Sequence, residues 1–287
     1  MSGAARIVMQ GAWLTRSLID GVAAMAGAAT IETCGDRVVR LSGFSAWPDA
    51  ARATRIATLC AAARADVAFI ARPRPLSAYR LAVMDMDSTL ITIECIDEIA
   101  DLKGLKPEVS AITAAAMRGE LDYPESLRRR VALLRGLGVE ALEQVYAERL
   151  RLSPGAELML SAFAAAGLRT LLVSGGFTFF TERLRRKLAL DDARSNTLGI
   201  ENGKLTGEVI GEIVDAAAKR RELLAACARL GADPVDAIAI GDGANDLAMM
   251  AVAGVSVAYR AKAVVRAQAT HAISHNGLEA VLPLFDS

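Results

Sequence analysis

The chain of 287 residues has only two histidines, His271 and His275, and four cysteines, Cys34, Cys60, Cys95 and Cys227. No two cysteines form a C-x-x-C pair, which argues against a structural zinc site. Thiols so scattered read as free cysteines in a reducing compartment. An excess charge is missing as well: 33 Lys plus Arg balance 33 Asp plus Glu. Nucleic-acid binders usually carry a basic surplus, so no nucleic-acid partner is expected. A small anion held by a few local cations stays open. No apolar run is long enough to span a bilayer, and no basic stretch leads into an apolar one at the N-terminus. Neither a membrane partner nor a signal peptide is expected, and the expected location is cytoplasmic.

What is present is aliphatic and helix-forming, with much alanine in a 53% hydrophobic chain. The length suits two domains. Residues 1–75 read as a small unit. Arg6 to Gln10, Ala29 to Thr33, Val38 to Leu41 and Val67 to Ile70 are strand patterns. Thr15 to Ala26 and Pro48 to Ala63 are helical. The order βαββαβ predicts a ferredoxin-like sandwich. Arg72-Pro-Arg-Pro-Leu76 is a linker, because proline continues neither element.

Residues 78–287 alternate strands with helices. The strands are Leu81 to Met84, Thr170 to Val173, Ala237 to Ile240 and Val255 to Ala258. This predicts an α/β fold with a doubly wound parallel sheet. About residues 94–151 exceed what one crossover needs and read as a helical cap inserted above the first strand. A second insertion, near Asn196 to Val209, carries an Asn202-Gly203 hairpin signal.

Chemistry concentrates where strands end, as it does in open α/β sheets. The first strand runs into Asp85, Met86, Asp87, Ser88 and Thr89. Two carboxylates there repel unless a cation or a proton compensates them. An aspartate can attack phosphorus, and a neighbouring carboxyl can carry the proton. The second strand ends in Ser174-Gly175-Gly176, a hydroxyl and exposed N–H groups that could cradle phosphate oxygens. Lys219 could neutralise phosphate, although a lysine on a helix is most often solvated. The third strand ends in Gly241-Asp-Gly-Ala-Asn-Asp246, whose Asp242, Asn245 and Asp246 offer the hard oxygens that suit Mg²⁺.

Taken in order, DMDST, SGG, a later Lys and GDGAND resemble the motifs of the haloacid-dehalogenase-type phosphatases. Within them the phosphoserine phosphatases are the nearer match, over about Leu81 to Pro283 and including the cap. The resemblance implies Asp85 as nucleophile, Asp87 as acid and base, and Mg²⁺ on Asp85, Asp242 and the Asp87 backbone carbonyl. Asp246 supports that set. Ser174, Gly175, Lys219 and Asn245 would bind the phosphoryl group. Glu94 would meet the ammonium of O-phosphoserine and Arg130 its carboxylate. Met117 and Tyr123 would line the pocket. Many relatives carry Phe at the last position, and the Tyr123 hydroxyl needs a partner. Arg128 and Arg129 are expected on a solvated helix face.

The implied reaction is Mg²⁺-dependent hydrolysis of phosphoserine, the last step of serine biosynthesis. The N-terminal unit resembles small amino-acid-binding (ACT-like) regulatory domains. It shows no ligand signature and reads as a degenerate regulatory or dimerisation domain, which allows a homodimer. Two alternatives stand: the same fold acting on another small phosphorylated metabolite, and an amino-acid sensor with a vestigial site.

Overall fold

The computed structural model describes residues 4–286. Its N-terminal part contains β1 (Arg6–Gln10), α1 (Arg16–Ala26), β2 (Thr30–Thr33), β3 (Val38–Ser42), α2 (Ala50–Ala62) and β4 (Asp66–Ile70). Thr15 and Asp49 are the caps of the two helices rather than helical residues. Each side chain accepts an N–H three residues on, from Leu18 and Arg52. The sheet order β2-β3-β1-β4 with antiparallel neighbours is the ferredoxin-like arrangement. All five β1 residues are buried because both faces are covered. Ile7 and Met9 pack toward α1 and α2, while Val8, Ala68 and Ile70 join the core of the larger sheet.

The second sheet has seven strands in the order β11-β10-β9-β5-β6-β7-β8. In chain order β5 (Leu81–Met84) leads to four cap helices: α3 (Cys95–Asp101), α4 (Lys106–Met117), α5 (Tyr123–Leu133) and α6 (Glu140–Gln144). Then come α7 (Ala156–Ala165), β6 (Arg169–Phe177), α8 (Thr178–Lys187), β7 (Asp192–Glu201) and β8 (Lys204–Ile210). The chain closes with α9 (Ala216–Leu230), β9 (Ala237–Gly241), α10 (Leu247–Met250), β10 (Val255–Tyr259), α11 (Ala263–Arg266) and β11 (His271–Ile273).

Every neighbouring pair from β11 to β7 is parallel; only β8 runs antiparallel. The Asn202-Gly203 turn joins β7 to β8 with both residues at positive φ, as a tight hairpin requires. The hairpin is not an insertion, because β7 pairs with β6 and extends the sheet. β11 escapes the sequence pattern, being three residues long.

The two sheets are fastened together near the C-terminal end of the chain. Asp66 of β4 is buried and accepts N–H bonds from Ser274 (2.7 Å), Asn276 (3.1 Å) and the Asn276 side chain (2.8 Å), with His275 at 3.2 Å. The Gln10 amide donates to the Ala280 carbonyl at 2.9 Å, and Arg6 pairs with Asp286.

Candidate active site

β5 lies between β6 and β9, and the parallel register brings their carboxyl ends to one edge. Asp85, Asp242 and the irregular last residues of β6 from Ser174, which stay in the strand beyond the expected end at Val173, therefore converge. Asp85 is buried. Its Oδ1 accepts the Met86 N–H at 2.7 Å, and its Oδ2 lies 2.8 Å from Lys219 Nζ. The chain then coils through one wide turn, Met86–Leu90. Ser88 sits there at φ 55°, a costly conformation for a residue with a side chain. Two bonds hold it: its N–H to the Ile93 carbonyl at 3.2 Å, and its hydroxyl to Glu94 Oε1 at 2.6 Å. Asp87 Oδ1 accepts the Cys95 N–H at 3.1 Å.

Lys219 is not solvated. The fourth residue of α9, it is fully buried with Asp85 and with Asp246 Oδ1 at 2.7 Å. The other Asp246 oxygen accepts the N–H groups of Asp242 (3.1 Å) and Gly243 (3.0 Å). Asp246 therefore shapes its own loop. Gly241 is required beside it, since a Cβ there would lie 2.4 Å from the Asp246 carboxyl. The Thr89 hydroxyl donates to Asp242 Oδ1 at 3.0 Å.

Asp85, Asp242 and Asp246 each bring a carboxylate oxygen within 4.8 Å of the others. Burial and then Asp246 push the Asp85 carboxyl well above its usual range, against the pull of Lys219. Burial and Asp246 raise Asp242 to about 6. Burial opposes charge on Lys219, but Asp246 and Asp85 outweigh it and the ammonium persists. Two of these acids, Asp85 and Asp246, thus pair with one buried cation. A hard divalent ion fits this donor set; Asp246 is the most committed of the three acids, with two backbone N–H groups on one oxygen and Lys219 on the other. Asp87 stands apart from that cluster. Burial and the charge of Glu94 raise it to about 7, despite the bonds from Cys95.

Ser174 is fully buried within β6, in the stretch between Val173 and Phe177 where the pairing with β7 shifts register, and its Oγ accepts the Gly176 N–H at 2.8 Å. Above these groups is a cavity of about 620 Å³. Its lining includes Asp85, Asp87, Gly175, Asp242 and Asn245 from the sheet edge, and Glu94, Met117, Tyr123 and Arg130 from the cap. Met117 is 67% exposed, so it belongs to the mouth and not the floor. Arg130 is half-buried, with its Nε donating to the Ser126 carbonyl, while Arg128 and Arg129 are exposed. The Tyr123 hydroxyl finds its partner in the Gly175 carbonyl at 3.2 Å.

The cavity also includes Asp97 and Lys262, which sequence reasoning did not single out. Asn196 was missed as well. It is fully buried on β7 and bonds both Gly175 and Val214. It carries no sequence signal, since its neighbours Arg194, Ser195 and Thr197 are polar as well.

A haloacid dehalogenase-like hydrolase family profile matches residues 79–254. A phosphoserine phosphatase of Polaromonas sp. is 56% identical over 214 residues, covering 73% of this chain and 91% of the relative. Among solved structures, a HAD family hydrolase of Salmonella enterica serovar Typhi superposes with TM-score 0.90 at 31% identity. It covers 99% of this chain and 98% of that one. A probable phosphoserine phosphatase of Vibrio cholerae gives TM-score 0.82 at 38% identity, covering 98% and 86%. Matched along most of its length in sequence and nearly all of it in structure, the chain belongs to the haloacid dehalogenase-like hydrolases.

Proposed function

We propose that this hydrolase is a Mg²⁺-dependent phosphoserine phosphatase working through an aspartyl-phosphate. One observation carries the reading: a single cavity has Asp85, Lys219's anionic partner, at its sheet end and both Glu94 and Arg130 on its cap side. The first end suits a phosphoryl group. The second suits an ammonium and a carboxylate on the same small molecule. The name carried by the Polaromonas relative agrees.

In this mechanism Asp85 forms a bond to phosphorus as the bond to the serine oxygen breaks. Asp87 gives its proton to that oxygen, and a carboxyl near 7 is still substantially protonated at neutral pH. Asp87 then takes a proton from water, which attacks the aspartyl-phosphate and frees Asp85. Ser174, Gly175, Asn245 and Lys219 hold the phosphoryl oxygens. Arg130 grips the substrate carboxylate with its planar fork, and Glu94 binds the ammonium. Asp85, Asp242 and the Asp87 carbonyl would hold Mg²⁺, which supplies positive charge where anionic nucleophile meets anionic ester.

The reaction would close a route to serine. Four free thiols agree with a cytoplasmic setting. In the same reading, residues 1–75 form a regulatory or dimerisation domain and residues 78–287 the phosphatase with its cap at about 94–151.

The test is phosphate release from both enantiomers of O-phosphoserine and a panel of small phosphate esters, with and without Mg²⁺. Phosphoserine should lead by a wide margin and need the metal. A different preferred ester would overturn the substrate. Serine binding with no phosphate release would favour the sensor.

A further inference from the structure

The hydrogen bonds around Gly175 join three separate segments. Its carbonyl accepts from Asn196 Nδ2 at 2.7 Å and from the Tyr123 hydroxyl at 3.2 Å. The N–H at the other end of the same peptide unit, that of Gly176, donates to Ser174 Oγ at 2.8 Å. A peptide unit is planar and stiff, so fixing both ends fixes its orientation. That orientation matters to Ser174. A hydroxyl has one proton, and because its oxygen already accepts here, the proton remains available for an incoming phosphoryl oxygen.

The two donors differ in origin. Asn196 belongs to the sheet, and its own Oδ1 accepts the Val214 N–H at 2.8 Å, just ahead of the helix that carries Lys219. Its bond to Gly175 is made within the core. Tyr123 opens helix α5 of the cap, and Asp122 caps that helix by accepting the Glu125 N–H at 2.7 Å. Its bond to Gly175 exists only when the cap lies on the core. The fit is close: a Cβ on Gly175 would lie 2.2 Å from the Tyr123 hydroxyl oxygen and 3.2 Å from the ring carbon bearing it.

We infer that Tyr123 and Asn196 are positioning residues for the phosphate cradle, with the Tyr123 hydroxyl latching the closed cap to the Gly175 carbonyl. Asn196 sets the cradle peptide, and Tyr123 adds a second donor on closure. A phenylalanine at 123 would fill the same space without the latch. For its kinetic arm the inference rests on the phosphoserine reading; the latch itself does not.

The experiment uses the full chain with three variants, Tyr123→Phe, Gly175→Ala and the double. Amide hydrogen exchange is followed across residues 113–127 without substrate. Tyr123→Phe should speed exchange there by roughly three- to tenfold, the range a neutral hydrogen bond's net contribution gives, and leave the sheet unchanged. Unchanged exchange in the cap would overturn the latch. Turnover of phosphoserine gives the second readout. Tyr123→Phe should slow it over the same range in the native background. In the Gly175→Ala background the same change should speed it, because removing the oxygen relieves the clash. Slowing in both backgrounds would show that the contact is absent from the working enzyme. If the native chain releases no phosphate from phosphoserine, the substrate reading fails while the exchange measurement still decides the latch.

Discussion

Replacing Lys219 with methionine keeps the length of the side chain and deletes the one ammonium shared by Asp85 and Asp246. All three groups are buried, so water cannot take over. Breaking a buried ion pair by removing one partner costs about 3–5 kcal/mol, since a charge stays behind uncompensated. With about 2.1 cal/mol/K of unfolding entropy per residue, that is a fall in Tm of roughly 5–8 °C.

The loss should depend on pH in a definite direction. Asp85 and Asp242 titrate higher folded than unfolded, so from the ordinary carboxylate range up through the folded Asp242 value of about 6 the folded state holds more protons. Stability from these groups is full below the unfolded carboxylate range and is lost as pH rises through the folded values. Removing Lys219 takes away the pull that held Asp85 down, so the penalty is largest at pH 8 and shrinks toward pH 5. Calorimetry of both proteins in chelator at pH 5 and pH 8 measures it. A Tm within about 1 °C of the native chain at pH 8, or a loss equal at both pH values, would refute the reasoning.

Asp87→Asn should cut phosphoserine turnover by roughly 10²–10⁴ and remove a limb near pH 7 from the rate profile; an unchanged profile would count against its acid and base role. Arg130→Ala should raise KM for phosphoserine about tenfold or more, as the loss of a charged hydrogen-bond pair implies. A phosphate ester without a carboxylate should be nearly unaffected, and equal effects on both esters would sink the clamp. Asp66→Ala should cost about 2–4 kcal/mol by stranding the N–H groups of Ser274 and Asn276. Its kcat should stay native at 25 °C, and an unshifted Tm would mean that the bonds to Asp66 do not secure the two sheets.

The strand-end residues were legible because the chemistry is local: Asp85, Ser174 and Asp242 each follow directly on an apolar run. Lys219 was legible only by its order among the motifs. Nothing around it announces a buried lysine, because the acids it pairs with lie just after β5 and after β9. Asn196 was invisible for the same reason, since its partners Gly175 and Val214 meet it only once β6, β7 and α9 have packed. β11, at three residues, carries too little pattern to stand out, and the Asn202-Gly203 turn signal masks β7, which pairs with β6 and extends the sheet.

The short β11 also explains why the N-terminal sheet sits where it does. β11 is the outer strand of the parallel sheet, and an uncovered outer strand invites pairing with other chains. Asp66 binds the backbone N–H groups that follow β11, and Gln10 and Arg6 bond residues 280 to 286 beyond it. The N-terminal unit therefore shields the exposed side of β11, three strands away from Asp85. Its carboxylate at position 66 is spent on the core, and its Gln10 likewise. Besides these bonds, Val8, Ala68 and Ile70 pack into the core of the larger sheet, and the ends of β11 and β10 meet where the Arg260 N–H donates to the Ile273 carbonyl at 2.7 Å.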